Sequence, residues 1–307
     1  MNWRRRGLLC LSLSFVVICS GAPALAKVNA ITDVSISVPR YGMNTKLPSK
    51  ERIISLGNGC AEVLYSLGVE RYIVGCDIAS TFNGIEHIPI VTNGHSISAE
   101  KILKLKPTLI LVNKNFGPAK ALRIIKKSGV RVVIIPEAYS LENMSEKYQA
   151  ILAAINLSPQ NPSAQSLLSD IPDSSSIDSY PGIRVAFLYL RGSSSIYLMG
   201  GKGSGADEII NASGGVDVGA EMGLPAFSPI TSEAVIRSNP SILLLMAQGL
   251  KSVGGVRGLR NLPGIAQTPA GKSNRVITVD DSLLLSFGPR TSRLIMELKS
   301  MVAKSQG

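Results

Sequence analysis

Short aliphatic runs recur along the chain, and the segments between them place apolar side chains at helical spacing. Arg52-Ile53-Ile54-Ser55-Leu56, Leu109-Ile110-Leu111-Val112, Arg184-Val185-Ala186-Phe187-Leu188 and Ile242-Leu243-Leu244-Leu245 have the length and predominantly apolar character of parallel strands covered on both faces. Further strands are expected at 72–76, 131–135 and 275–279. One predicted helix contains Glu62-Val63-Leu64 and ends at Gly68, and another contains Glu208-Ile209-Ile210 and ends at Gly214-Gly215. Strands alternating with helices predict an α/β fold with parallel sheets.

The pattern occurs twice. Ser98-Ala99-Glu100-Lys101-Ile102-Leu103 leads to Pro107 and the strand at 109–112, and Thr231-Ser232-Glu233-Ala234-Val235-Ile236 leads to Pro240 and the strand at 242–245. In both, Glu precedes Pro by seven residues, and the strand begins two residues after the Pro. Ser98 and Thr231 can cap a short helix whose first turn carries an acid, where the helix dipole favours one. Residues 140–170 carry helical periodicity at Met144, Tyr148, Ile151, Leu152 and Ile155, interrupted by Pro159 and Pro162. A Ser-, Asp- and Pro-rich tract follows at 172–182. The chain therefore divides into an N-terminal lobe (45–139), a linker helix and loop (140–182) and a C-terminal lobe (183–307). Two Rossmann-like lobes joined by a long linker helix form a ligand-binding cleft architecture.

The first 26 residues depart from this pattern. Arg4-Arg5-Arg6 precede an apolar run from Leu8 to Ile18, and Ala24-Leu25-Ala26 supplies small residues for cleavage before Lys27. That is a signal peptide, too short to span a bilayer as a permanent helix. Cys19 offers lipid anchoring as an alternative to soluble export, although Ile18 stands where a lipobox prefers a small residue. Exported, the protein lies in the periplasm or at the cell surface. The formal charge is +11, and removing the leader's three arginines leaves +8. That balance favours acidic partners; with aromatic residues at 5% and the cations scattered, nucleic acid is the least supported of them. Cys10 and Cys19 fall in the leader. Cys60, opening a helix, and Cys76, ending the neighbouring strand, are either a disulfide or two small buried thiols.

The Ser/Thr-x-Glu repeat, the paired α/β lobes and the helical linker resemble substrate-binding proteins for iron complexes and cobalamin. The second half resembles the haem-specific, HmuT-like actinobacterial type. That likeness is carried by Phe187-Leu188-Tyr189-Leu190-Arg191-Gly192, by 201–207, by 252–256, by 262–272 and by 284–291. The resemblance implies a monomeric carrier that binds haem (ferric protoporphyrin IX) as cargo and delivers it to the permease dimer of an ABC importer. A ferric-siderophore or cobalamin carrier is the alternative.

The resemblance also assigns roles. His95, in the loop entering the first Glu helix, and Tyr189 become the iron ligands, one from each lobe. His87 matches no ligand position and reads as solvent-exposed. Ferric haem accepts a Tyr phenolate as axial ligand, and period-2 alternation puts Arg191 on the same face as Tyr189, where it can supply both charge and a hydrogen bond to the phenolate. Tyr197 is a second tyrosine candidate, and Arg290 a candidate partner for a propionate. Basic residues near the cleft mouth are expected to offset the propionates. Glu100 and Glu233 resemble carboxylates that dock on permease arginines. No catalysis is expected: Gly201-Lys202-Gly203-Ser204-Gly205 lacks Walker spacing, no Gly-x-Ser-x-Gly elbow occurs, and His95 has no nucleophile partner.

Overall fold

The computed structural model describes residues 31–43, 45–173, 182–192 and 196–304; the expected signal peptide and most of the 172–182 tract lie outside them. The chain begins with β1 (Ile31–Val34) and then builds the first lobe. There β2 (Ile53–Leu56), α1 (Cys60–Ser66), β3 (Ile73–Cys76), the hairpin β4 (Thr92–Asn93) and β5 (Ser96–Ile97), α2 (Ala99–Lys104), β6 (Leu109–Val112), α3 (Ala119–Lys127) and β7 (Arg131–Ile134) follow in order. The linker supplies α4 (Leu141–Ala154) and α5 (Pro162–Ser169). In the second lobe come β8 (Arg184–Arg191), β9 (Ile196–Gly200), α6 (Ala206–Ala212), β10 (Val216–Asp217), α7 (Val218–Glu221), β11 (Phe227–Pro229) and α8 (Ser232–Ser238). The chain closes with β12 (Ile242–Met246), α9 (Ala247–Ser252), α10 (Gly255–Arg260), α11 (Pro269–Ser273), β13 (Val276–Val279), α12 (Asp281–Leu284) and α13 (Thr291–Lys304).

The first sheet has the order β3-β2-β6-β7 and is parallel throughout. The second runs β1-β13-β12-β8-β9-β11, parallel from β1 to β8 and antiparallel from β9 onward. Both cores of parallel strands match the expected fold class. β1 was not anticipated: it precedes the first lobe in sequence yet pairs with β13 at the edge of the second sheet. No helix among the described residues is long and apolar enough to cross a membrane.

The repeated helix starts form as their sequences require. Ser98 Oγ accepts from Lys101 N, and Thr231 Oγ1 accepts from Ala234 N, each at 3.3 Å. The linker helix α4 begins at a Ser140 cap and buries Leu141, Met144, Tyr148, Ile151 and Leu152 along one stripe. One apolar core runs through this stripe from Val63 and Leu64 of the first lobe to Ile209, Ile210 and Leu294 of the second. Each such side chain contributes about 1.5–3 kcal/mol when fully buried. Separate cores fill the far faces of the two sheets.

Asp217 introduces a pH dependence. It caps α7 through Oδ1, which accepts from Ala220 N at 2.7 Å, while its buried Oδ2 has no partner. Burial pushes its carboxyl up to about 6, against the Ala220 amide that pulls it down. The folded form thus holds its proton more tightly than the unfolded chain, and stability falls as pH rises from about 4 through about 6. Asp217→Asn keeps a capping oxygen without the charge. Thermal melts should show the variant more stable than the parent at pH 8, by up to about 3 kcal/mol, with the gain gone at pH 4. An unchanged or lowered melting temperature at pH 8 would contradict the argument.

Candidate functional site

In open α/β sheets the loops beyond the carboxyl ends of the strands form the binding crevice. Here two such crevices face each other. The loops after β2, β3 and β6 contribute Asn58, Asp77 to Phe82 and Phe116. Across from them, β8 and the segments after β12 and β13 contribute Tyr189, Arg191, Gln248 and Asp280 to Ser282. They enclose a cleft of about 600 Å³.

Tyr189 and Arg191 reach it because of strand alternation. Leu188 and Leu190 are buried on the opposite face of β8, leaving Tyr189 and Arg191 half-buried on the cleft side. The Arg191 guanidinium lies over the Tyr189 ring, 4.7 Å from its centroid, a favourable cation–π placement. It also approaches Asp281 Oδ2 at 3.6 Å and donates to Leu190 O at 3.0 Å. Asp281 is itself fixed by the Gln248 amide at 2.9 Å. Its carboxyl is raised by burial, against the Gln248 amide and the Arg191 charge. Phe227 of β11 meets the Tyr189 ring edge-on at 5.4 Å. The guanidinium thus meets the face of the Tyr189 ring, and its hydrogen bond goes to Leu190 O and not to the phenol hydroxyl.

His95 approaches from the other lobe. It sits at the tip of the β4–β5 hairpin, whose two-residue turn needs a positive φ at Gly94 (56°). His95 O accepts from Gly117 N at 3.0 Å, and the imidazole packs against Phe116 at 5.2 Å between ring centroids. The ring is exposed and lines the same cleft as Tyr189. His87 is exposed outside it.

At the floor of the cleft lie three buried ionisable side chains. Lys147, on the apolar stripe of α4, is 1% exposed. Its Nζ donates to Asn58 O (2.5 Å) in the first lobe and to Ser286 O (2.6 Å) in the second. Burial pulls its pKa below the usual lysine value, opposed by the nearby Glu62, Glu137 and Asp77 carboxylates. Gly59 must be glycine, since a Cβ there would fall 2.8 Å from Ser286 O and 2.9 Å from Lys147 Nζ. Beside it, Glu62 of α1 receives the Arg290 amide at 2.9 Å and Arg290 Nη2 at 3.0 Å. Arg290 Nη2 also donates to Ser282 Oγ at 2.8 Å, and Nη1 to Ile36 O at 3.3 Å.

Several expectations are corrected. Arg290 is 3% exposed and committed to Glu62, so it is no propionate partner. Tyr197 pairs across the hairpin with Leu190, which turns it to the face opposite Tyr189. Its hydroxyl donates to Pro263 O at 3.3 Å, and burial raises its pKa. The cleft lining is not basic: Arg191 stands among Glu62, Asp77, Asp280 and Asp281. Those acids are held locally, Asp77 by the Gly57 and Ala79 amides and Asp280 by the Ser282 amide. Cys60 and Cys76 are buried free thiols, each pushed up to about 12 by burial. Glu100 and Glu233 are exposed at the starts of α2 and α8, outside the cleft lining. The Glu233 carboxyl is held low by its own backbone amide and by the Thr231 and Ser232 side chains.

Sequence reasoning did not find Lys147, Glu62, Asp281, Phe116 or Phe227. Lys147 alone left a signal, a lysine falling within the apolar periodicity of Met144, Tyr148 and Ile151.

A family model described as periplasmic binding protein matches residues 53–283. The solved periplasmic heme-binding protein RhuT from Roseiflexus sp. RS-1, in apo form, is 33% identical and superimposes with a TM-score of 0.77. That match covers 84% of this chain and 99% of RhuT. The heme-binding protein HmuT is 27% identical with a TM-score of 0.78, covering 89% of this chain and 96% of HmuT. HmuT has also been solved with alanine replacing a histidine, a tyrosine, and an arginine two positions beyond that tyrosine. An uncharacterized ABC transporter substrate-binding lipoprotein of Bacillus subtilis, YvrC, is 24% identical over 259 residues, 82% of this chain and 80% of the relative.

Arg290 yields a direct test. Arg290→Ala strands the Glu62 carboxylate in the interior, which costs about 3–5 kcal/mol. Urea unfolding should register that loss. Replacing both partners, as Glu62→Gln with Arg290→Met, should cost clearly less. An Arg290→Ala protein of parental stability would show that the pair carries no structural load.

Proposed function

This chain belongs to the periplasmic binding protein family, and from that premise we propose that it binds haem outside the cytoplasm and delivers it to an ABC importer. The observation that carries the reading is the placement of Tyr189, with Arg191 over its ring, across one cleft from the exposed His95. Phenolate and imidazole are both axial ligands of ferric haem. A cleft of about 600 Å³ falls within the range of ligand pockets, about 300–1,000 Å³. The heme-binding names of RhuT and HmuT support the cargo, and the Tyr-x-Arg spacing replaced in HmuT is the spacing of Tyr189 and Arg191.

In this reading Tyr189 and His95 grip the iron from opposite lobes. Arg191 stabilises the phenolate, and Asp281 keeps the guanidinium in place while offsetting part of its charge. Phe116 and Phe227 hold the two ligand rings in position. Glu100 and Glu233, one per lobe, dock on the permease, and YvrC's description as an ABC transporter substrate-binding protein supports such a partner. With the lobes tied together at the cleft floor, docking that separates them is the route to release.

Hemin titration tests the cargo: a Soret shift saturating at one equivalent is expected, whereas cobalamin or a ferric siderophore binding in its place would overturn the assignment. Arg191→Ala should weaken binding by roughly 10–100-fold, as loss of an outer partner does, and should shift the phenolate charge-transfer band. Tyr189→Phe should cost more than Arg191→Ala, and Tyr197→Phe should cost nothing. Equal losses at the two tyrosines would move the ligand assignment.

Docking is tested separately. Charge reversal at both Glu100 and Glu233 sets like charges against permease arginines, a contact costing several kcal/mol. The Glu100→Lys/Glu233→Lys protein should bind hemin normally yet fail to support uptake into vesicles carrying the permease. Undiminished uptake would return both residues to simple helix-start acids.

A further inference from the structure

The chain has 21 aspartates and glutamates, and none lies between Lys101 and Pro136 or between Ala234 and Val279. These two stretches begin directly after Glu100 and Glu233, so they are equivalent parts of the repeat. The first holds nine cations: Lys101, Lys104, Lys106, Lys114, Lys120, Arg123, Lys126, Lys127 and Arg131. All nine are exposed. None takes part in the ion pairs found among the described residues. The second stretch holds six more, of which Arg237, Lys251, Arg257, Arg260 and Lys272 are exposed.

Seven of the first set lie on α2, α3 and β7, which pack together. α2 packs against α3, and α3 against β7, the edge strand of the first sheet. Ile102, Ala121 and Ile125 turn inward to that sheet's outer core. On α3 this leaves Lys120, Arg123, Ile124 and Lys127 at i, i+3, i+4 and i+7, an outward stripe. Ile124 is 44% exposed within it, and Ile134 of β7 is 52% exposed nearby. Cations flanking exposed aliphatic side chains on an amphipathic helix form a surface suited to the headgroup region of an anionic bilayer. The surface lacks the exposed aromatic side chains that stack nucleic-acid bases, since Phe116 is buried.

We propose that the α2–α3–β7 face of the first lobe, reinforced by the equivalent cationic stretch of the second, holds the protein on an anionic phospholipid surface. The attraction would confine the carrier to the plane in which a membrane partner lies. It is independent of the cargo, so failure of the haem reading would leave it standing.

The test uses purified protein and vesicles of phosphatidylcholine with or without a third phosphatidylglycerol, separated by sedimentation. Binding is expected only with phosphatidylglycerol at about 0.1 M salt and should vanish near 1 M, where the Debye length shrinks to about 3 Å. Arg123→Glu/Lys127→Glu should weaken partitioning by at least roughly tenfold. The charge-matched Lys46→Glu/Lys50→Glu, on exposed residues outside both stretches, should change it little. Circular dichroism melts confirm that both variants are folded. Equal losses in the two variants would mean that net charge alone acts, and would overturn the face. Binding that ignores phosphatidylglycerol or salt would overturn the lipid assignment. So would indifference to vesicles combined with binding of polyglutamate through the same residues, which would assign the face to an acidic polypeptide.

Discussion

Lys147 brings a buried amine to the place where the two lobes and the linker helix meet, and it finds main-chain carbonyls from both lobes there. The Glu62–Arg290 pair lies alongside, again with one partner from each side. Charges removed from water are costly unless each is matched, and they tolerate little displacement once matched. The loops at Asn58 and Ser286 are therefore held at one separation, and the floor of the cleft with them. The continuous apolar core through α4 adds attraction without direction; the buried Glu62–Arg290 pair and the Lys147 hydrogen bonds supply the direction.

Everything above that floor follows from strand geometry. Parallel strands deliver their carboxyl-end loops to one rim per sheet, and the fixed junction sets the two rims opposite each other. Tyr189 and His95 reach a shared space because one ends a long strand and the other tips a short hairpin. Arg191 is divided between the Tyr189 ring and Asp281, so its charge near the phenol is moderated by a carboxylate that the Gln248 amide keeps in place. The acidic character of the lining is mostly spent on backbone amides, which turn loops and start helices.

Much of this was legible in the residues. The strand at 109–112, the paired caps at Ser98 and Thr231 and the alternation that unites Tyr189 with Arg191 are local patterns, and local physics decides them. Tyr197 was open because its facing depends on hairpin register with Leu190, which the strand itself does not record. Arg290 looked like a loop cation because its partner lies 228 residues earlier. Lys147 occupies an apolar helical position, but its hydrogen-bond partners come from loops that only the folded chain brings together.

The pairing of β1 with β13 binds together positions 245 residues apart, as the Asp33–Thr278 contact shows. The second sheet therefore takes its edge from the start of the described chain and its neighbouring strand from near the end. Closing so long a loop delays the contact entropically. A chain emerging from a translocation channel could complete its first lobe early, while the second must wait for almost the whole polypeptide. Its first described strand would meanwhile remain an unpaired edge, available to chaperones and proteases until the last turns arrive.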